Sequence, residues 1–189
     1  MKEIADISKK SKLYQDVNKL IKPILTGKVL VIDPSIGSNS SSPGWAIYSY
    51  GELVDSGSWH VGGSSVELWK RARKLGDYIK FACAMYSFDL LIYEDIPATS
   101  SFNQNAVASL LKSVGVVLSC SRSEYVLGIH PASWRNYVRP GYKKGDKEDA
   151  EEIGHIAISL ARHIIGENRA TEGDSSNGSP LSRRSKKTK

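Results

Sequence analysis

Two short runs of almost wholly apolar sequence each end in acid: KVLVID at 28–33 and FDLLIYED at 88–95. A run of this length without polar alternation reads as a strand buried on both faces, inside a sheet covered by helices. Open α/β sheets place their sites at the carboxyl ends of parallel strands. An acid at each exit therefore makes these strands the frame of the chain and the first pointer to chemistry. The remaining sequence has to supply the covering helices and the path from one strand to the other.

That path has its own pattern. PSIGSNSSSPG (34–44) is a loop dense in Ser, Gly and Pro. WAIYSY (45–50) reads as a second strand, GE (51–52) as a tight turn and LVDSGSWHV (53–61) as a third strand. Connections this short make the three an antiparallel meander. Ser65 is the expected N-cap of a helix over 66–86, whose stripe is Leu68, Ala72, Leu75, Ile79, Ala82 and Cys83. After the fourth strand come a polar loop (96–105), an Ala- and Val-rich helix over 106–120 and a fifth strand, YVLGIHP (125–131). SWRNYV (133–138) is a short helix or turn, and RPGYKKGD (139–146) a basic loop. The last strong helix, 147–165, starts acidic and buries Ile153, Ile156, Ala157, Leu160, Ala161 and Ile164. The order β-β-β-α-β-α-β-α predicts an α/β fold: a five-stranded mixed sheet with helices on both faces.

The two ends differ from the middle. Of the net charge of +6, residues 1–28 carry +4 and 167–189 carry +3, and the balance of the chain is −1. Apolar Ile4, Ile7, Leu13, Val17, Leu20 and Ile21 predict a weakly amphipathic helix in a basic N-terminal extension, 1–27, closed by Pro23 and Gly27. Residues 28–166 are the expected single folded domain, and 167–189 a disordered basic tail. Basic ends on a balanced core suit phosphate contacts. No apolar run approaches the roughly 18 residues of a membrane span. The N-terminal sequence has no apolar h-region and contains acids, so neither a secretory nor a transit signal is expected, and the cytoplasm is the expected location. Cys83 and Cys120 are too few and too far apart for a zinc cluster and read as core residues of a reducing compartment.

The acids fall in a pattern. If the first and fourth strands lie side by side and parallel, Asp33 and Glu94 meet at one end. The last helix carries Asp146, Asp149 and Glu152 at spacing three, which shares a face. Packed with its N-terminus at that end, it adds Asp149 with Glu152, or in the alternative register Asp146 with Asp149. Gathered carboxylates raise one another's pKa unless a cation intervenes. Their hard oxygens suit Mg²⁺, with Mn²⁺ able to substitute. Two such ions about 3.5–4 Å apart are suited to phosphodiester hydrolysis.

VLVIDPSIG, GWAI and LLIYEDIP together resemble the ribonuclease H-like fold, and within it the RuvC-type Holliday junction resolvases, particularly short phage-like members. The resemblance covers about 28–166. It includes NQNAVASLLKSVGVVLSC, HPASWRNYV and the helix start DAEEIGHIA. It implies that Asp33, Glu94, Asp149 and Glu152 are catalytic metal ligands in a Mg²⁺-dependent endodeoxyribonuclease that nicks four-way DNA junctions as a homodimer. The cell would be bacterial or phage-infected. The Glu at position 152, the long Ser-rich loop after Asp33 and the extension 1–27 depart from the family pattern.

Other residues follow from their place beside the acids. Arg135, Lys143, Lys144 and Lys147 are expected to meet phosphates, and Lys143 or Lys144 to steady transition-state charge. Phe102 is a candidate to stack on or wedge against a base. His155, one turn beyond Glu152, is a candidate base or metal neighbour. The helix at 106–120 is a candidate dimer seam. Two rival functions remain open: another ribonuclease H-like nuclease, cutting RNA–DNA hybrids or flaps, and a non-catalytic junction-binding protein.

Overall fold

The computed structural model describes residues 2–36, 42–63, 65–96 and 104–175, with side chains for all but 104–106 and 171–175. Five strands form one sheet: β1 (Lys28–Asp33), β2 (Gly44–Ser49), β3 (Glu52–Ser58), β4 (Leu90–Glu94) and β5 (Tyr125–Ile129). Their order is β3-β2-β1-β4-β5. β1 pairs antiparallel with β2 and β2 with β3, while β4 lies parallel to both β1 and β5. The expected mixed sheet, its antiparallel meander and the parallel pairing of β1 with β4 are thus observed. The hairpin turn falls one residue earlier than GE: Tyr50 and Gly51 both have positive φ, 53° and 74°. Two such residues make the two-residue turn whose twist matches its flanking strands.

Alternation along β1 divides the core in two. Leu30 and Ile32 point to one face, where α3 (Leu68–Met85) and α4 (Gln104–Cys120) pack through Leu75, Ile79 and Val117. Val29 and Val31 point to the other, under α6 (Asp146–Ser175). On α6 the whole expected stripe, Ile153 to Ile164, is buried. Gly154 lets the Tyr48 ring lie directly against the helix backbone, and Tyr48 Oη donates to the Glu151 carbonyl at 2.6 Å. α3 starts later than expected, capped at Glu67 without a side-chain bond, so Ser65 is not its cap.

The N-terminal segment is less separate than its charge suggested. It forms a 3-10 turn (Ile4–Asp6) and two short helices, α1 (Lys12–Lys19) and α2 (Ile21–Thr26), instead of one helix. Pro23 lies inside α2, in the first turn, where its missing N–H costs nothing. Ile7, Leu13, Val17 and Ile24 are buried in the α6-side core. The segment docks on its own chain.

The far end of α6 differs too. It continues past 166 to Ser175, into the stretch expected to be disordered. Glu167 is held there by Tyr14 Oη at 3.0 Å and Lys9 Nζ at 3.2 Å. Residues 176–189 lie outside the described part. Among the described residues, no helix is long and apolar enough to cross a membrane.

Ile24→Ala should therefore cost about 2–5 kcal/mol, the usual loss for a fully buried Ile. Urea unfolding measures it; a loss below about 1 kcal/mol would show that the segment is only a loose appendage.

Candidate active site

β1 and β4 run in register, with Ile32 beside Tyr93. The next residues, Asp33 and Glu94, leave the sheet together. Strand parity puts Asp33 with Val29 and Val31, and Glu94 with Leu90 and Ile92, on the α6 face. Asp33 stands opposite Gly44 of β2. A Cβ at Gly44 would run into the Asp146 carbonyl, so the start of α6 sits hard against this sheet end. Its first turns bring Asp146 and Asp149 to the same place.

Asp33 is 3% exposed. Burial raises its pKa well above the usual carboxylate range, and the charges of Glu94, Asp149 and Asp146 raise it further. Ser35 Oγ, donating at 3.2 Å, opposes them. Burial also raises Glu94, against the pull of Arg135 and of a bond from Trp134. Trp134 Nε1 and Arg135 Nη2 both donate to Glu94 Oε1 at 3.1 Å. Asp149 Oδ1 accepts from Tyr142 Oη, and from the Gly145 N–H at 3.3 Å. Burial raises Asp146 as well, while the Ser42 N–H, 2.8 Å from its Oδ2, lowers it.

Glu152 is elsewhere. It is 1% exposed, and both oxygens belong to Arg139: Oε1 accepts the backbone N–H and Oε2 the guanidinium Nε, each at 2.7 Å. Of the expected ligands, Glu152 is the one whose two oxygens are both taken. The acids acting on Asp33 are Glu94, Asp149 and Asp146. Glu152 instead clamps the loop that carries Arg139. The reason is geometric: a second step of three residues beyond Asp146 has turned the side chain away along α6, to the side where residues 139–142 return.

The other candidates also have definite places. Arg135 pairs with Glu94 and lies over the Trp134 ring, 5.4 Å from its centroid. Lys147 pairs with Glu151 at 3.5 Å. Lys144 is near enough to Asp146 to oppose its upward shift. Lys143 lines an open cleft of about 280 Å³ with Arg139, Tyr142 and Glu148. His155 faces Ser159 Oγ at 3.4 Å, and burial and Arg139 lower its pKa. Phe102 lies outside the described residues. Trp134 is fully buried, and its indole N–H donates to Glu94 at the site. Tyr142 and Arg139 carried no sequence signal beyond lying just before the acidic helix.

Among the described residues, no group of three or more acidic, imidazole or thiol side chains stands gathered as a ready-made metal cage. The donor chemistry nevertheless fits a hard divalent cation. The charges of Glu94, Asp149 and Asp146 all bear on buried Asp33, and among the described residues no cationic side chain is bonded to it.

A sheet of three antiparallel strands followed by two parallel ones, with acids leaving β1 and β4, defines a ribonuclease H-like architecture. Three solved structures are similar to this chain. RuvC of T. thermophilus, in complex with a Holliday junction substrate, superposes with a TM-score of 0.52 at 12% identity, over 74% of this chain and 94% of that one. RuvC of Thermus thermophilus on its own gives 0.43 at 14%, over 82% and 99%. The yeast mitochondrial Holliday junction resolvase Ydc2 gives 0.49 at 11%, over 84% and 97%. The first of these carries the likeness, which is one of fold. No protein-family model matches the chain, and no curated protein sequence matches it.

A raised pKa at Asp33 has a sign in stability. The folded protein holds that proton more tightly than the unfolded chain. The group's stabilising share is complete below the unfolded carboxyl range and is lost as pH rises through the folded value. Asp33→Asn should therefore melt higher than wild type in metal-free buffer at pH 7.5, by about 2–4 °C for each kcal/mol relieved. The gap should close on acidification. Equal melting at pH 7.5 would mean that the buried charge costs nothing.

Proposed function

We propose that this protein is a metal-dependent endonuclease of the RuvC type that resolves four-way DNA junctions by phosphodiester hydrolysis. The observation that carries the reading is that Asp33 and Glu94 leave β1 and β4 at one sheet end against the start of α6, where the charges of Asp146 and Asp149 also bear on Asp33, on a fold shared with a junction-bound RuvC. Asp33, Glu94, Asp149 and Asp146 would hold Mg²⁺, or Mn²⁺ in its place. Bound there, the cation would supply the charge that readies water for attack and steadies the departing 3′ oxygen.

The chain's own groups do the rest. Burial and its neighbours raise the pKa of Asp33, and positive charge arriving beside it would lower it, so cation binding and proton release at Asp33 are linked. Arg135 and Trp134 pull Glu94 back toward its ionised form. The Arg139–Glu152 clamp fixes the loop that presents Lys143 and Lys144 beside the acids. Those two lysines would bind the phosphates flanking the cut and position the strand. Lys147 and the basic N-terminal segment would add salt-dependent DNA affinity. Phe102 is proposed to contact junction bases. The working unit would be a homodimer matching the two-fold symmetry of the junction, with α4, whose Leu111 and Leu118 are exposed, as the expected seam.

The test is nicking of a synthetic four-way junction in Mg²⁺, beside matched duplex and RNA–DNA hybrid. Paired symmetric nicks on the junction alone, abolished by Asp33→Asn, are expected. Hybrid cleavage would move the protein to another nuclease class, and tight binding without cleavage in Mg²⁺ or Mn²⁺ would leave a junction-binding protein.

The two helix registers give opposite outcomes in the same assay. Asp146→Asn should lower nicking by about 100-fold or more with the melting temperature kept, as loss of a transition-state group does. Glu152→Gln should mainly destabilise, because it weakens the pairing of a buried glutamate with half-exposed Arg139. Activity surviving in Asp146→Asn but not in a folded Glu152→Gln would restore the other register.

A further inference from the structure

The protein's donors treat the converging carboxylates in one consistent way. Among the described residues, Glu94 is bonded only through Oε1, Asp149 and Asp33 only through Oδ1, and Asp146 only through Oδ2. One oxygen of each is tied and the other is left open. Glu152, which stands outside the group, has both oxygens taken. Metal-binding carboxylates are usually themselves hydrogen-bonded, and that outer bond fixes which oxygen is presented.

Two of the donors touch each other. Trp134 is fully buried, and its ring meets Tyr142 edge to face, with centroids 6.2 Å apart and planes at 87°. Its N–H reaches Glu94, while the Tyr142 hydroxyl reaches Asp149. One aromatic pair thus bridges the acid that leaves β4 and the acid on α6. The lever is short and stiff: each ring turns about only two side-chain torsions, and both are held by packing.

We propose that Trp134 and Tyr142 act as one positioning unit that turns Glu94 and Asp149 so that a single free oxygen of each faces a divalent cation. Neither ring is a ligand and neither needs to touch DNA. The inference rests on the metal-site reading above. It adds that affinity for the cation depends on two aromatic side chains outside the acidic set.

Mn²⁺ binding to the full-length protein, followed by the electron paramagnetic resonance of free Mn²⁺, tests it without a nuclease assay. Tyr142→Phe keeps the ring and its contact with Trp134 but removes the hydroxyl. It should weaken Mn²⁺ binding about 10-fold or more, the usual effect of losing such an outer partner, with the melting temperature unchanged. Trp134→Phe should weaken it similarly. The double variant should lose less than the product of the two single losses, because the rings act together.

Asp33→Asn serves as the control for the site itself. If wild type binds Mn²⁺ no better than Asp33→Asn, the metal-site reading fails and the inference with it. If wild type binds well and Tyr142→Phe binds equally well, the site stands and the positioning role is wrong. Fully multiplicative losses in the double variant would also overturn the single-unit claim. Trp134→Phe removes buried volume and could unfold the chain. In that event Tyr142→Phe alone, read as affinity at constant melting temperature, decides the question.

Discussion

The parallel pairing of β1 with β4 governs this molecule. Its register brings Asp33 and Glu94 out of the sheet side by side, on one face, at one end. Two carboxylates so placed repel, and burial makes the repulsion expensive. Everything nearby is arranged around that conflict. Gly44 permits α6 to begin directly over it, and Tyr48 sets the depth of the helix through the gap at Gly154. The first turns of α6 then add two more acids. Helix N-termini favour negative charge, which offsets part of the crowding but not all of it. Asp33 remains raised, and its bonded neighbour is a serine hydroxyl, not a cation.

Glu152 shows what a settled buried carboxylate looks like in the same helix. Arg139 supplies a charge and two donors, and both oxygens are satisfied. That is a structural ion pair, strong because its geometry is complete. The acids around Asp33 lack such closure. Their partners are sparse and one-sided. A fold that can satisfy one buried glutamate so fully, six residues from Asp146, leaves the neighbouring set incomplete for a reason other than poor packing. Readiness for an external cation is that reason in the reading proposed here.

The frame of this arrangement was legible in the sequence because it is local. Apolar runs such as KVLVID and the 3.6-residue stripe of α6 announce themselves residue by residue. The turn at Tyr50–Gly51 was read one position late, since GE and YG differ only in which residue takes a left-handed φ. The N-terminal segment looked like an appendage because its charge is conspicuous, and charge says nothing of where Ile24 goes. In α6 the sequence offered Asp146, Asp149 and Glu152 at equal spacing, and spacing alone cannot choose between registers. Arg139, which takes both oxygens of Glu152, comes from a loop whose return path no periodicity predicts. Trp134 and Tyr142 were hidden for the same reason. Their importance lies in meeting each other and two distant acids, a non-local fact written in no single stretch of sequence.

The placement of the N-terminal segment then bears on the site itself. A cluster of buried acids lowers stability, and the loss has to be offset elsewhere in the same cooperative unit. α1 and α2 bury Leu13, Val17 and Ile24 against the α6-side core, beneath the helix that carries Asp146 and Asp149. Lys9 and Tyr14 hold α6 again at Glu167, well beyond its acidic end. The helix is thus fastened along its length by apolar contacts and at its far end by polar ones. Its first turns can then be kept under electrostatic tension without peeling away from the sheet. On this argument, the basic segment that departs most from the resembled family is the part of the chain that lets the acidic end of α6 be built.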